Sequence, residues 1–391
     1  MKSVLMRILM MIPSLQTGGA EWAFVRQANA LCEQHEITAY VPYACDSAPA
    51  LMSAFKSQVR VVSLPLPHAF FHRVIYKLSL LFPKVALEKR IHRAVLGLLH
   101  RLEKFQMVNP HLHSGTHIAC DVFARASVPV VESDHGDYAL LKKEDPSLER
   151  HRAVFARLDG VVCPSQANQQ NLREMPWKAG FRQSVIPYAA PVGQVSEKTG
   201  LTKDEVFTFG LLARGVAEKG WAEALAAFRL LRSQVKMPMK MLFIGEGSEI
   251  QRLRGEVKPD EGVEIAGYQA DTSEWIAKCD VGLLPSYFAA ESLPNAIIEF
   301  QAQGRPMIAT SVGGIPEMLE SSGMTVPIDA ATGRADVQAL SAAMQRMVED
   351  AAFRQSCAAG ARMSFGRYLP EKCCAAYTRF FESFRVSSSE S

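Results

Sequence analysis

The fold of this chain is decided by the stretch Pro285–Pro316, PSYFAAESLPNAIIEFQAQGRPMIATSVGGIP. The apolar run DVGLLP predicts a strand that ends at Pro285, and Pro294 and Gly304 mark the start and the end of a helix. The run RPMIATS then predicts the next strand. A strand, a helix and a second strand in this order predict a parallel sheet. The free N–H groups around Leu293 to Ile297 lie at the start of the helix and have no partner within it. They therefore predict an anion site at the carboxyl edge of that sheet.

Short apolar runs alternate with helical patterns over the rest of the chain as well. In the amino half these runs are MRILMMIP, EITAYVP, VPVVES and GVVCPS, and in the carboxyl half they include VFTFGLL, KMLFIGEG, GVEIAGY and DVGLLPS. The alternation predicts two doubly wound, Rossmann-like α/β domains that face a cleft lined by the carboxyl ends of their strands. The expected boundaries are an amino-terminal domain at 1–190, a linker rich in Pro, Gly and polar residues at 191–203, a second domain at 204–368 and a carboxyl-terminal helix at 369–391.

The composition is that of a globular protein with little net charge. The 391 residues include 43 Lys and Arg against 40 Asp and Glu, and the net charge of +3 excludes a generally cationic nucleic-acid binder. Eight cysteines without a C-x-x-C pair are typical of reduced thiols in a cytoplasmic protein. The apolar start MKSVLMRILMMIPSL is interrupted by Lys2 and Arg7 and is too short to span a bilayer, so no transmembrane anchor is expected.

Two acids flank the predicted anion site. Glu291 precedes the helix, and Glu299 lies within it eight positions further on. A carboxylate beside a phosphate is favourable only where it faces neutral hydroxyls, so both acids are expected to accept hydrogen bonds from sugar hydroxyls on either side of a diphosphate. The alternatives are an ordinary loop acid for Glu291 and a solvated helix acid for Glu299.

Two cations, Arg214 and Lys219, follow another predicted strand in the segment FGLLARGVAEKGW. They come just before a helix, whose positive amino end repels cations unless an anion lies between them. Two solvated basic residues are therefore the less favoured interpretation. The pair is expected to bind a diphosphate and to stabilise the charge that grows on it as it leaves.

Four motifs of the carboxyl half occur in order: RGVAEKG, GEG, ESLPNAIIE with its E-x7-E spacing, and SVGGIPE. Through them the chain resembles glycosyltransferase family 4 of the GT-B type, from Val206 to about Glu382. The amino half resembles the family more loosely through QTGGAE, HLHSG, ESDHG and CPS. The resemblance implies a retaining transferase that moves a sugar from a nucleotide-diphosphate sugar to a cell-surface glycan or lipid-linked acceptor, in polysaccharide, lipopolysaccharide or glycolipid synthesis. The amino-terminal domain would lie on the acceptor side.

The roles of the family carry over to individual residues. The resemblance implies catalytic roles for Glu291, His135, Arg214 and Lys219. The donor-binding residues that it implies are Gly18, Gly19, Arg214, Lys219, Glu291, Ser292, Leu293, Asn295 and Glu299. Among these, Glu291 would contact the transferred sugar, Glu299 would hold the ribose hydroxyls, and the two glycines would let backbone approach the reaction centre. Tyr188 departs from the family, many members of which have Asn-Gly at this place.

No metal and no cofactor are expected, because the chain lacks the D-x-D motif that commonly holds a metal on a diphosphate. The spacing H-x-H-x3-H of His111, His113 and His117 offers a metal site, but this is the less favoured interpretation because no nearby acid or cysteine completes a tetrahedral set. No second carboxylate is convincingly placed as a nucleophile. This favours a front-face route in which the leaving phosphate deprotonates the acceptor.

The segment 68–104 carries eight Lys or Arg and only two acids. Its second half is expected to be an amphipathic helix, with an apolar stripe formed by Leu87, Ile91, Ala94, Leu98 and Leu102. A basic amphipathic helix favours peripheral contact with anionic lipid on the inner face of the cytoplasmic membrane, and the alternative is a helix that faces the core. The end of the chain resembles the last helix of the family, which crosses back to the amino-terminal domain.

Four other functions are alternatives to a transferase. A GT-B-type sugar epimerase shares the architecture, whereas a phosphorylase would need a Schiff-base lysine for which the chain offers no persuasive candidate. A non-catalytic homologue that binds sugar nucleotides is disfavoured by the joint presence of Glu291, Glu299, Arg214 and Lys219. A dinucleotide dehydrogenase is disfavoured because GEG lacks the third glycine of G-x-G-x-x-G.

Overall fold

The computed structural model describes residues 5–16, 18–64, 84–123, 126–140, 148–175, 180–190 and 206–385. The chain divides into two compact units. The first unit comprises the described parts of Met1–Ala189 and Pro370–Ser391, and the second those of Ala190–Leu369. The linker predicted at 191–203 lies outside the described residues.

The first unit is built on parallel strands. Its described strands are β1 (Arg7–Met11), β2 (Glu36–Tyr40), β3 (Arg60–Val62), β4 (Met107–Pro110), β5 (Val131–Ser133), β6 (Gly160–Cys163) and β7 (Arg182–Val185). They pair in the orders β3-β2-β1-β4 and β5-β6-β7. Parallel bridges from Val108 to Val130 and from His111 to Ser133 join β4 to β5, so the order continues across both groups.

Helices cover both faces of this sheet. They are α1 (Gly19–Leu31), α2 (Pro49–Ser53), α3 (Lys84–Glu103), α4 (Leu112–Phe123), α5 (Leu148–Phe155), α6 (Gln166–Glu174) and α14 (Pro370–Glu382). One core cluster includes Ile8 and Phe24, and the other includes Leu9 and Phe123. Because successive side chains of a strand point to opposite faces, Ile8 and Leu9 enter different cores.

The last helix, α14, completes the core of the first unit. Tyr377 and Phe381 are buried in the same cluster as Phe24 of α1. The Tyr377 hydroxyl lies 3.2 Å from the Ser133 hydroxyl at the end of β5, and Thr378 lies 2.7 Å from a ring nitrogen of His35. This helix follows the second unit in sequence but belongs to the first.

The second unit repeats the architecture. Its described strands are β8 (Phe207–Leu212), β9 (Met239–Ile244), β10 (Val263–Gly267), β11 (Val281–Leu284), β12 (Met307–Thr310) and β13 (Gly323–Val326). Its helices are α7 (Trp221–Gln234), α8 (Ser248–Arg254), α9 (Ser273–Ala277), α10 (Asn295–Ala302), α11 (Ile315–Leu319), α12 (Val337–Glu349) and α13 (Ala351–Phe365). The strands pair in the order β10-β9-β8-β11-β12-β13, all parallel.

The second unit therefore has the strand order third, second, first, fourth, fifth, sixth, and the first unit has the same order with a seventh strand after the sixth. This is the Rossmann order, whose direction of winding reverses between the first and fourth strands. Ligands bind at the carboxyl ends of the strands beside that reversal. The predicted fold class of two Rossmann-like domains is confirmed, and the reversal falls between β1 and β4 in the first unit and between β8 and β11 in the second.

Helix α3 buries a different face from the stripe expected for its sequence. His92, Leu96 and Leu99 are buried, whereas Leu98 and Leu102 are 57% and 69% exposed. The His92 ring nitrogens bond the hydroxyls of Tyr40 and Tyr43, at 2.8 and 3.2 Å, which fixes this buried face. Residues 68–83 lie outside the described part of the chain.

Neither a membrane span nor a disulfide is present in the described part of the chain. None of its helices combines the length and the apolar content that a bilayer crossing requires. All eight cysteines are free thiols, and six of them are buried.

Candidate functional site

The site in the second unit is centred on an ion pair between Lys219 and Glu291. The Lys219 ammonium contacts Glu291 Oε1, and their side chains are 13% and 6% exposed. The Ser286 hydroxyl donates to the same carboxylate oxygen at 2.7 Å. Lys219 follows β8 and Glu291 follows β11, so the pair lies beside the reversal of strand order in this unit.

Backbone contacts between two loops hold Lys219 in this position. The carbonyl of Glu218 accepts a hydrogen bond from the Tyr287 N–H at 2.9 Å and lies 3.0 Å from the Ser286 hydroxyl oxygen. The next glycine, Gly220, has a φ of +76°, and a Cβ there would lie 2.0 Å from the Pro285 carbonyl oxygen. The turn after β8 can therefore approach the end of β11 this closely only with glycine at this position.

A third loop, after β12, closes on the backbone of Glu291. The Gly314 N–H donates to the Glu291 carbonyl at 3.1 Å. Gly313 has a φ of +51°, and a Cβ on it would lie 1.6 Å from the same carbonyl oxygen. The glycines of SVGGIPE therefore fix the main chain that carries the Glu291 side chain.

Arg214 lies in the same segment after β8 as Lys219, but its environment differs. Its side chain is exposed, and no acid among the described residues pairs with its guanidinium. Its main chain is held firmly, because Trp221 Nε1 donates to the Arg214 carbonyl at 2.9 Å and the Gly215 N–H donates to the Glu246 carbonyl at 2.8 Å. The motif GEG thus anchors the Arg214 loop and leaves the guanidinium open to solvent.

The start of α10 differs in detail from the sequence expectation. Pro294 occupies the N-cap, one residue before the helix begins at Asn295. The Ile297 N–H, expected to be open to an anion, donates to the Pro294 carbonyl at 3.1 Å because the first turn is tight. Ser292 and Leu293 are buried, and Asn295 is half-buried at the first helical position. The positive end of the α10 dipole therefore lies at the main chain between Glu291 and Asn295.

Glu299 projects from the middle of α10, where it is half-buried. It accepts a hydrogen bond from the Thr272 hydroxyl, at 2.8 Å, just before α9. The carboxylate thus already accepts a bond from a neutral hydroxyl.

The first unit brings the other predicted residues to its own strand reversal. Gly18 and Gly19 lie at the start of α1, the helix that follows β1, with Gly18 in an extended conformation at the N-cap. Gly18 is extended and a Cβ there would meet only the flexible end of Glu21, so the structure does not require glycine at this position. His135 follows β5 at the same edge of the sheet.

Both ring nitrogens of His135 are engaged in one directed chain of hydrogen bonds. Asn109 Nδ2 donates to the Val131 carbonyl at 2.6 Å, so Asn109 Oδ1 is the acceptor for His111 Nε2–H at 3.1 Å. His111 Nδ1 must then accept from His135 Nε2–H at 2.8 Å. His135 Nδ1 in turn accepts from the Tyr188 hydroxyl at 2.9 Å.

This chain sets the protonation of both histidines. Burial lowers the pKa of His135 to about 3. Burial, with the neighbouring His135 as a smaller cause, also keeps the pKa of His111 well below its usual value. Both rings are therefore neutral at physiological pH. A neutral His135 can donate or accept a hydrogen bond to a ligand that replaces His111 or Tyr188 as its partner. It does not carry a positive charge.

The structure thus groups the predicted residues in two sets. Arg214, Lys219, Glu291 and Glu299 belong to the second unit, and Gly18, Gly19 and His135 to the first, each set at the strand reversal of its own sheet. Ser286, Asn109 and Tyr188 were not assigned roles from the sequence, although they orient Glu291 and His135. Ser286 and Asn109 could have been found as polar residues at a strand end, where parallel sheets collect functional side chains.

Comparison with known proteins places these observations in a family. The family model "Glycosyltransferase Family 4" matches residues 17–187, and "Glycosyl transferases group 1" matches residues 203–350. The chain is 30% identical over 223 residues to the amylovoran biosynthesis glycosyltransferase AmsK of Erwinia amylovora, which is 51% of each protein. It is 24% identical over 240 residues to the lipopolysaccharide core biosynthesis glycosyltransferase LpsE of Rhizobium meliloti, which is 59% of this chain and 66% of LpsE. The matches thus span half to two thirds of these relatives.

Solved structures share the fold over nearly the whole chain. Anabaena HepE, crystallised with UDP and glucose, superposes with a TM-score of 0.72 at 17% identity and covers 97% of this chain and 100% of its own. A glycosyltransferase from Rickettsia africae superposes with a TM-score of 0.75 at 14% identity and covers 98% of this chain and 100% of its own. At such identities the likeness establishes the fold.

Proposed function

The chain belongs to glycosyltransferase family 4, and we propose that it transfers a sugar, with retention of anomeric configuration, from a nucleotide-diphosphate sugar to a cell-surface glycan or lipid-linked acceptor. The observation that carries this proposal is the buried Lys219–Glu291 pair at the strand reversal of the second unit, with the exposed Arg214 in the same loop as Lys219. The named functions of AmsK and LpsE support a polysaccharide or lipopolysaccharide acceptor. The UDP and UDP-glucose in the HepE structures support a nucleotide-sugar donor.

Arg214 and Lys219 would bind the donor diphosphate. Because the Arg214 guanidinium is exposed and has no acid partner in the described chain, it gains a charge-assisted hydrogen bond to phosphate without losing an existing ion pair. Such a bond contributes about 1.5–3 kcal/mol. The same two cations would stabilise the charge that develops on the leaving diphosphate, which replaces a metal ion in this role.

Donor binding would change the partner of Lys219. In the structure its ammonium neutralises Glu291. A diphosphate that takes over the ammonium leaves the Glu291 carboxylate free to accept hydrogen bonds from hydroxyls of the transferred sugar, while Ser286 continues to hold its Oε1. The ion pair would therefore neutralise Glu291 until the donor enters.

Glu299 would accept hydrogen bonds from the ribose hydroxyls in place of the Thr272 hydroxyl. His135 is proposed to contact the transferred sugar by exchanging its bond with the Tyr188 hydroxyl. Gly18 and Gly19 would bring backbone N–H groups at the start of α1 to the reaction centre. Ser292, Leu293 and Asn295 would contribute backbone to the same donor site.

The proposed chemistry is a front-face transfer without a metal. The bond between the sugar anomeric carbon and the leaving phosphate breaks, the acceptor oxygen attacks from the same face, and a phosphate oxygen takes the acceptor proton. No enzyme carboxylate forms a covalent bond in this route. A glycosyl adduct trapped on Glu291 would refute it, whereas product with retained configuration and no adduct supports it.

The basic helix α3 is proposed to contact an anionic membrane surface from the cytoplasmic side. Leu98 and Leu102 are exposed on it, and Arg90, Arg93 and Arg101 are exposed beside them. Exposed leucines flanked by arginines are typical of a helix that lies in the interface of an anionic bilayer. Such contact would bring the enzyme to a lipid-linked acceptor.

A ligand screen tests the proposed function. The full chain is heated with UDP, GDP, ADP and CMP sugars in turn, and one class is expected to raise the melting temperature, since a ligand at 100 times its Kd stabilises by about 2.7 kcal/mol. Arg214→Gln should reduce this shift, and Arg254→Gln, an exposed arginine of α8, should keep it in full. The absence of a shift with every activated sugar would contradict the proposal. Proton NMR of the sugar product separates transfer from epimerisation.

A further inference from the structure

Three histidines of the first unit, His113, His117 and His151, converge outside the set described above. His113 and His117 lie one turn apart on α4, and their Nε2 atoms are 2.7 Å apart. His151 comes from α5, and its ring centroid lies 4.0 Å from that of His113. One ring nitrogen of each of the three lies within 4.8 Å of the others.

The histidine spacing in the sequence suggested a different third member. His111 bonds Asn109 through Nε2 and His135 through Nδ1, so both of its nitrogens serve the chain that orients His135. The third imidazole of the cluster is instead His151, on the following helix. The cluster is thus separate from the His111–His135 chain.

The tautomer of His113 is set by its neighbours. The buried Tyr138 hydroxyl donates to Glu132 Oε1 at 2.6 Å, so its oxygen accepts from His113 Nδ1–H at 3.2 Å. This leaves a lone pair on His113 Nε2, directed at His117. Metal-binding histidines commonly have such an arrangement, with the second ring nitrogen held by a hydrogen bond that leads to a carboxylate.

The exposure of the cluster also suits a ligand role. All three side chains are half-buried, so solvent reaches the cluster.

We propose that His113, His117 and His151 bind one divalent transition-metal ion, with Zn²⁺ as the ion that best suits three imidazoles and a water. Imidazole is a preferred ligand for zinc, and three protein ligands with an open fourth position are a common zinc arrangement. Ligation at about 2.0–2.1 Å requires three small changes: the Nε2 atoms of His113 and His117 must separate slightly, the ion must displace the proton on His117 Nε2, and the His151 ring must move toward the pair. The ion would tie α4 to α5, and it lies outside the donor chemistry proposed for Lys219 and Glu291.

Cobalt substitution tests the site directly. Untagged full-length protein is freed of metal with a chelator and titrated with Co²⁺, and the visible ligand-field bands of a low-coordinate cobalt site are expected to saturate at one equivalent. Added Zn²⁺ should abolish these bands. No bands with Co²⁺ in excess, and no heat of binding with Zn²⁺, would overturn the proposal.

Variants separate the cluster from other histidines. His113→Asn, His117→Asn and His151→Asn are each expected to lose the cobalt bands while keeping the circular dichroism spectrum of the wild type. The control His100→Gln, a half-buried histidine of α3 stacked on Phe105, should keep the bands. Binding that survives in His151→Asn would refute the three-histidine site. Should His113→Asn fail to fold, His151→Asn on the separate helix still decides.

Tyr138→Phe tests whether the second hydrogen bond orients His113. It leaves the three ligands in place but removes the acceptor of His113 Nδ1–H. Loss of such an outer partner typically lowers metal affinity about 10–100-fold. An unchanged Kd for Zn²⁺ would show that the Tyr138–Glu132 pair serves packing alone.

Discussion

The Lys219 ammonium and the Glu291 carboxylate form a nearly buried ion pair, although 72 residues separate them in sequence. Each lies in a loop that leaves the carboxyl end of a parallel strand, and β8 and β11 are neighbours in the sheet. The order of the strands in the sheet therefore brings the two residues together. In the proposed function the cation binds the diphosphate and the anion binds hydroxyls of the sugar.

Removal of only one partner should destabilise the second unit. Lys219→Met leaves the Glu291 carboxylate buried without its cation, which typically costs about 3–5 kcal/mol. Urea denaturation followed by the fluorescence of the buried Trp221 measures the loss. The double variant Lys219→Met/Glu291→Gln, which removes both charges, should recover most of the stability and remain inactive. A double variant as unstable as the single one would contradict this account.

Arg214→Gln should weaken donor binding and leave the fold intact. Loss of one charge-assisted hydrogen bond of about 1.5–3 kcal/mol lowers affinity for the nucleoside diphosphate of the donor roughly 10–100-fold. The melting temperature of the free protein should not change, because the guanidinium is exposed and has no acid partner among the described residues. Calorimetry gives the Kd, with Arg254→Gln as the control. Equal affinities of the two variants would exclude the proposed role.

Acid should destabilise the first unit through His135. Its pKa is lowered from about 6.5 to about 3, so between these pH values the unfolded chain binds more protons than the folded one. The stabilisation is complete above pH 6.5 and is lost as the pH falls towards 3, by about 1–2 kcal/mol between pH 7 and pH 5. Urea midpoints measured over this range should fall less steeply for His135→Gln. A variant with the slope of the wild type would show that other groups control the acid response.

Phe381→Ala should destabilise the first unit, although the residue follows the second unit in sequence. Phe381 of α14 is fully buried in the core of the first unit, and truncation of such a ring costs about 3–5 kcal/mol. Hydrogen exchange should show lost protection in β1, β2 and α1. The exposed Met363→Ala of α13 should change stability by less than about 0.5 kcal/mol. Deletion of the residues after Tyr368 should destabilise the first unit more than Phe381→Ala does. Loss of hydrogen-exchange protection only in the second unit would contradict the assignment of α14 to the first unit.

Leu98→Ser/Leu102→Ser should weaken binding to anionic vesicles. The two leucines are exposed on α3, so the fold should tolerate the change, whereas their insertion into the bilayer interface is lost. Sedimentation with phosphatidylglycerol vesicles measures binding, and Met363→Ser provides a matched loss of an exposed apolar side chain. Equal binding of wild type and double variant would dispose of membrane contact through α3.

Much of the second unit could be predicted from the sequence, because most of its strands are continuous apolar runs and Gly or Pro marks the start of α7, α8, α10 and α11. The run VFTFGLL, for example, forms β8, Phe207–Leu212. The amide of Ile297 was wrongly expected to be open, since a tight first turn pairs it with Pro294. Periodicity identifies the helix but not such local hydrogen bonds.

The polar clusters were harder to predict, because their members meet only through the tertiary fold. His151 lies 34 residues after His117, and no spacing rule connects them. In α3 two apolar stripes compete, and the choice of Leu96 and Leu99 over Leu98 and Leu102 follows from the hydrogen bonds of His92 to two tyrosines. A buried polar contact decided the orientation that hydrophobicity left open.

The position of α14 has a consequence for biosynthesis. Phe381 and Tyr377 enter the core of the first unit only after the ribosome has made the whole of the second. Until then the nascent amino-terminal half lacks α14, and the apolar surface beside α1 that α14 covers stays exposed. The second unit is continuous in sequence and can fold as soon as it leaves the ribosome. Chaperone dependence during translation should thus concentrate on the half that is synthesised first and finished last.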